Sequence, residues 1–196
     1  MASVFLSPST QEYNPNVDGG NEEYYMNIIT DAIIPYLEAS GIEYGRNDPS
    51  KSFSNSVRMS NEGNYDLHFA LHSNAAPPQN AGQVRGTQVY YYTNSQQGKR
   101  AADIFANNFK EIYPLPSKVQ TVPTTTLTEV IRTKAPAILM EVAYHDNRED
   151  AQWIRDNIDT IAENLAMSIG DFLGVQIIMP SPTRSGTVTT LSLIHI

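Results

Sequence analysis

The stretch AILMEVAYHDN, residues 137–147, runs four apolar residues straight into Glu141 and places His145 four positions further on. Preceded by Pro136, the segment PAILMEVAY is predicted to be a buried strand, because a short apolar run of this length fits a covered sheet position. A carboxylate left unpaired in such surroundings costs several kcal/mol, so Glu141 needs either a partner or a task.

Outward from that strand, the chain alternates strand and helix patterns. SVFLSPS opens as a short strand, followed by a loop rich in Asn, Asp and Gly. From Glu22 the apolar residues Tyr25, Ile28, Ile29, Ala32, Ile33, Tyr36 and Leu37 fall at helical spacing. Gly41 is the predicted stop, and Pro35 predicts a kink or a division into two pieces. IEYGR, DLHFALHSNA, GTQVYYYTN and TTTLTEVIRT are predicted strands. SNSVRMSNEGN and SQQGKRAADIFANNFKEIY are predicted helices, and REDAQWIRDNIDTIAENLAMSIGDFLG is a closing helix or helix pair. This order predicts an α/β fold: a three-layer domain whose mostly parallel or mixed central sheet is flanked by helices.

Composition narrows the chemistry. A chain of 196 residues suits one domain with a full core. With 21 acidic against 13 basic residues and no basic cluster, nucleic acid is not expected as a partner. No run of about 18–20 apolar residues predicts a membrane span, and the opening MASVFLSPST has no basic segment or long apolar core of a secretory signal. There are no cysteines, so a metal would have to sit on histidine, carboxylate or amide oxygen. The four histidines are His68, His72, His145 and His195.

Sites in open α/β sheets form outside the carboxyl ends of strands. Three polar positions are expected there: Glu22 or Glu23 at the start of the first long helix, His72 at the end of DLHFALH, and Glu141. A histidine and a carboxylate on converging loops suit a catalytic zinc, and a further glutamate beside it suits a general base. Plain readings stand next to these. Paired glutamates at a helix start complement the helix dipole. His68 shares a strand face with His72 and is a competing ligand.

At these residues the sequence resembles the zinc-dependent N-acetylmuramoyl-L-alanine amidases of the family 3 type, found in bacterial autolysins and phage endolysins. The likeness covers roughly residues 3 to 174, carried in order by VFLSPS, GGNEEYYMN, DLHFALHSNA, GTQVYYY and LTEVIRTKAPAILMEVAYHDN. It implies hydrolysis of the amide joining the muramoyl lactyl group to L-alanine in peptidoglycan, with one zinc held by His, Glu and His. Carried over residue by residue, the ligands are Glu23 and His72, and the base is Glu141. Glu23 is preferred to Glu22 because it precedes Asn27 by four residues, the family spacing. The sequence departs from the family at its opening strand, where an Asp-Pro-Gly-His-Gly stretch is replaced by SPSTQ and the first ligand histidine is missing. Gln11 could supply an amide oxygen in its place. His145, turned inward from the YHDN loop, is the preferred replacement.

Arg132 and Asn74 are expected to bind substrate, Arg132 by gripping a stem-peptide carboxylate in bidentate fashion. Asp146 and Asn147 could instead cap the following helix. Residues 1–175 are expected to form the amidase-like domain, and 176–190 a linker rich in Pro, Ser and Thr. The last six residues, LSLIHI, match the translation of a common transposase sequencing adapter, so a C-terminal wall-binding module is expected to be missing. A domain of net charge -8 would be repelled by anionic wall polymers and would gain from such a tether. The expected setting is the bacterial cell wall, reached through a phage holin or mother-cell lysis, by a monomer with no membrane partner. The alternative is an amidase-like module that has lost its metal and only binds muropeptides or the wall.

Overall fold

The computed structural model describes residues 1–180; the remainder of the expected linker, the adapter-like end and His195 lie outside the described residues. The elements run β1 (Ser3–Pro8), α1 (Glu22–Ala39), β2 (Glu43–Arg46), α2 (Phe53–Glu62), β3 (Leu67–Asn74), β4 (Thr87–Tyr92), α3 (Gln96–Phe109), β5 (Val119–Thr124), α4 (Thr128–Ile131), β6 (Ala137–Tyr144), α5 (Arg148–Asp156) and α6 (Ile158–Leu173). The six strands form one sheet in the order β2-β1-β3-β6-β4-β5. β2, β1, β3 and β6 are parallel neighbours, whereas β4 runs antiparallel to β6 and β5 parallel to β4. The mixed α/β sheet flanked by helices is the predicted fold class. Among the described residues no helix is long and apolar enough to cross a membrane.

The two faces of the sheet are covered unequally. Alternation along the strands sends Leu6, Phe69, Leu71, Ile138, Met140 and Val142 to one face. There they join the apolar stripes of α1, α3 and α6 in the large core. Each such side chain contributes on the order of 1.5–3 kcal/mol by leaving water. The opposite face carries a small apolar cluster of Ala70, Val130, Ala137 and Leu139. It is covered by the short helices α2 and α4, which touch each other. Phe5 stacks on His68 on this side, with ring centroids 5.5 Å apart.

Two expectations about elements are corrected. TTTLTEVIRT is not a strand: β5 ends at Thr124, and residues 128–131 form α4. Leu127, Val130 and Ile131 stand at i, i+3 and i+4, a helical spacing that outweighs the β-branched composition. The true strand, VQTVPT, tolerates Pro123 because β5 is the edge strand. α1 runs through Pro35 as one helix, with Pro35 on its exposed side. The closing segment resolves as the pair α5 and α6, broken at Asn157, whose side-chain amide donates to the Trp153 carbonyl at 2.8 Å.

Candidate active site

β1, β3 and β6 are parallel, so their carboxyl ends open at the same edge of the sheet. The register sets His72 beside Glu141 as Cα partners on β3 and β6. Ser7, His68 and His72 line one face of β1 and β3, the thinly covered one, and α4 lays Glu129 across them.

His72 is the hub. Its Nδ1 lies 2.9 Å from Glu22 Oε1 and 3.3 Å from the side-chain amide of Gln11. Its Nε2 lies 3.3 Å from Glu129 Oε2. Burial opposes charge on this imidazole, but hydrogen bonds to Glu129 and Glu22 override it and hold its pKa well above the usual histidine value. Glu22 is buried, and burial alone would raise its pKa. The His72 bond and charge, with the amide of Asn14 donating to Glu22 Oε2 at 2.6 Å, bring it below the usual carboxylate value instead.

Glu22 occupies the first turn of α1, after the N-cap Asn21, whose side-chain oxygen accepts from the Tyr24 amide at 2.8 Å. Consecutive helix residues diverge by about 100°, so only one of the two glutamates can face His72. The structure brings Glu22 there and leaves Glu23 on the neighbouring surface, lining a separate depression with Asn27 and Arg46. The Glu23–Asn27 spacing is satisfied differently: the Asn27 side-chain amide donates to the Glu23 carbonyl at 2.7 Å.

Glu141 Oε2 is buried with no hydrogen-bond partner. Burial pushes its pKa up to about 7; the facing His72 pulls the other way and Glu22 adds to the rise. A carboxyl poised there can both take and return a proton near neutral pH.

The preferred replacement ligand, His145, is not brought to His72. It is buried behind the end of β3, its Nδ1 2.9 Å from the Ser73 carbonyl and 3.0 Å from Ser73 Oγ. Arg132 is exposed and outside the groove; its carbonyl accepts from Asn61 at 2.8 Å. Asn74 bonds Gln88 Oε1 at 3.0 Å and shapes the turn by accepting from the Ala75 amide at 2.8 Å. Asn147 caps α5, accepting from the Glu149 and Asp150 amides.

Glu129 was not singled out in the sequence. It is buried, and although burial opposes ionisation, His68 and His72 hold its pKa down to about 2. Ser7 Oγ donates to Glu129 Oε1 at 2.6 Å. The available signal was a carboxylate set among Leu127, Val130 and Ile131 at helical spacing.

Among the described residues no group of three or more His, Asp or Glu side chains is arranged to hold a metal ion. Two such donors do converge, Glu22 and His72 Nδ1, with the Gln11 amide beside them. Ligands about 2.0–2.2 Å from a tetrahedral zinc stand a little over 3 Å from one another, a spacing that the 2.9 Å between Glu22 Oε1 and His72 Nδ1 approaches. The Gln11 amide turns its nitrogen to His72, because its oxygen accepts from the Asn14 side-chain amide at 3.1 Å, and Asn14 is fixed by donating to Glu22 Oε2 at 2.6 Å; as oriented, Gln11 offers no donor oxygen to a cation there. A groove of about 730 Å³ opens from His72 and Glu129 past Gln11 and Leu139 to Tyr13, Lys51 and Phe53.

The family model described as N-acetylmuramoyl-L-alanine amidase matches residues 6–171. No curated protein sequence matches the chain. Among solved structures, the N-acetylmuramoyl-L-alanine amidase AmiC2 of Nostoc punctiforme superposes with a TM-score of 0.76 at 20% identity, covering 88% of this chain and 97% of its own. The catalytic domain of the amidase CwlV from Bacillus (Paenibacillus) polymyxa gives 0.77 at 16% identity, covering 90% and 100%. The catalytic domain of the CD27L endolysin targeting Clostridia difficile gives 0.71 at 19% identity, covering 87% and 98%. At these identities the likeness establishes the fold.

Proposed function

The chain belongs to the N-acetylmuramoyl-L-alanine amidase family, and from that premise we propose that it hydrolyses the amide between the muramoyl lactyl group and L-alanine of peptidoglycan with the help of one zinc ion. The observation that carries this reading is Glu141: a carboxylate with no hydrogen-bond partner in the carboxyl half of β6, beside His72, with its pKa near neutrality. Glu22 and His72 are the residues that would hold the zinc, a set short of the three protein ligands such a site ordinarily has. When bound, it supplies a Lewis acid that polarises the carbonyl and acidifies water. Glu141 takes the proton from the attacking water as its oxygen bonds to the lactyl carbonyl carbon. Glu141 then returns that proton to the alanine nitrogen as the carbon–nitrogen bond breaks, leaving a lactyl carboxylate and a free alanine amine. The open groove suits a polymeric substrate. The setting we propose is the bacterial cell wall, with attachment aided by a separate wall-binding module.

His72 also supports the second reading, a muropeptide-binding module without metal, because carboxylates meet both of its ring nitrogens and favour the imidazolium. One experiment separates the two. Freshly purified protein is assayed for zinc by elemental mass spectrometry and for release of alanine amines from purified walls. About one zinc per chain and new amines without new reducing ends support the amidase. Binding to walls with no zinc and no amines supports the binding module.

A further inference from the structure

Among the described residues, Lys51 is the only lysine or arginine that lines the groove opening from His72. The ion pairs of lysine and arginine among those residues leave it out. Asp48 is close enough to feel its charge, but spends its carboxylate on Ser50, accepting from the amide at 3.0 Å and the hydroxyl at 2.7 Å. The backbone sets where Lys51 stands. Its amide donates to the Asp48 carbonyl at 3.0 Å, closing a turn whose second residue, Pro49, has a fixed φ.

The amide that the proposed reaction cleaves joins two unlike halves. The muramoyl lactyl half has no ionised group while its carboxyl is part of the amide, whereas the stem peptide carries free carboxylates. An unpaired cation therefore distinguishes which half the groove receives. Its volume of about 730 Å³ lies in the range of about 300–1,000 Å³ that encloses a small ligand, enough for a few peptide residues. Tyr13 and Phe53 line it with rings that are 75% and 48% exposed, apolar surface for a peptide to cover. The neighbouring depression beside Tyr24 and Asn27 offers no free cation, because Arg46 is paired with Asp31 and donates to Asn27 Oδ1 at 2.7 Å. Arg132, the expected grip on a stem carboxylate, lies outside the groove.

We propose that Lys51 is a specificity-determining residue: its ammonium pairs with the free α-carboxylate of the stem residue that follows the alanine, so the peptide half of the substrate fills this groove. The inference rests on the amidase reading above and names the stem chemistry that reading leaves open. Glu12, on the loop between β1 and α1, also lines the groove and repels such a carboxylate. The two loops thus differ in sign, and the anionic group is drawn to the wall that carries Lys51.

The test compares two soluble muramoyl tripeptides, muramoyl-L-alanyl-γ-D-glutamyl-L-lysine with its glutamyl α-carboxyl free or amidated. Dissociation constants are measured by calorimetry at low ionic strength for proteins with Lys51, Gln or Arg at position 51. Each carries Glu141→Gln so that the peptide is not consumed, and circular dichroism checks folding. With Lys51 present, the free acid should bind about three- to tenfold tighter than the amide, the range between an exposed ion pair and a charge-assisted hydrogen bond. Lys51→Gln should abolish that preference, Lys51→Arg should keep it, and raised salt should shrink it. Equal binding of the two peptides, a preference that survives in folded Lys51→Gln, or binding of neither peptide overturns the role of Lys51. Amine release from purified walls by the wild type is measured alongside. If it is present, the amidase reading stands without Lys51; if it is absent as well, both fall.

Discussion

His72 on β3 and Glu141 on β6 are Cα partners in neighbouring parallel strands, so the histidine hub and the unpartnered carboxylate stand side by side in the carboxyl halves of both strands. Their spacing is set by backbone hydrogen bonding and not by a flexible loop. Glu141→Gln keeps that spacing and removes proton transfer. Amine release from purified walls should fall by about 100- to 10,000-fold, while sedimentation with insoluble walls should be unchanged.

Glu22 and Glu23 are adjacent in sequence but face different surroundings. Glu22→Gln should weaken zinc binding by more than the roughly 100-fold typical of an outer-shell change. Glu23→Gln should leave both zinc content and amine release within about twofold, as expected of a surface position. The reverse result would mean that the helix start turns its other glutamate inward.

Gln11 and His145 are separated by the same logic. Gln11→Ala should leave zinc affinity within about twofold, since its amide turns nitrogen and not oxygen to the site, and Gln11→His should raise it by adding an imidazole donor. His145→Ala should retain zinc and instead lose about 1–3 kcal/mol of stability, because the buried Ser73 groups lose their partner. Zinc titration and thermal melts of the three variants check this.

The raised pKa of Glu141 predicts a pH-dependent stability in metal-stripped protein. The folded state binds this proton more tightly than the unfolded state, whose carboxyl titrates near its model value of 4.5. The stabilisation is therefore present in full below that value, is lost as pH rises toward about 7, and changes no further above it. The ceiling is about 3 kcal/mol, reduced by whatever water reaches the carboxyl. Urea melts of the wild type minus those of Glu141→Gln should isolate that decline between pH 4.5 and 7.

Asp150 anchors the end of β6. It is fully buried, bonded at 2.7 Å to both Arg85 Nε and Tyr113 Oη, and it accepts from the Gly86 and Tyr144 amides. Asp150→Asn leaves Arg85 without its buried counter-charge and should cost about 3–5 kcal/mol, seen as a lower melting temperature.

The sequence made β3 and β6 legible because His72 and Glu141 interrupt otherwise apolar runs, which also pointed to the carboxyl side of the sheet where the site lies. The choice between Glu22 and Glu23 was not legible, since it depends on the rotational phase with which α1 docks, a tertiary property. Glu129 was hidden for a related reason. Its segment is rich in threonine and reads as a strand, and four residues of α4 give a helical spacing too short to outweigh that composition in the sequence. His145 was drawn toward the site by its distance from Glu141 along the chain. In space the Ser73 carbonyl claims its ring.

The unequal covering of the sheet has a consequence for how this domain can change. Most of the apolar packing lies on the face of α1, α3 and α6, whereas the polar network around His72 lies on the other face, and Gln11 sits in a partly exposed loop before α1. Exchanging the side chain at such a loop position alters the chemistry offered to a cation while leaving the main core untouched. The architecture separates what keeps the chain folded from what it can bind, so a donor can be traded on the loop without the sheet registering the exchange.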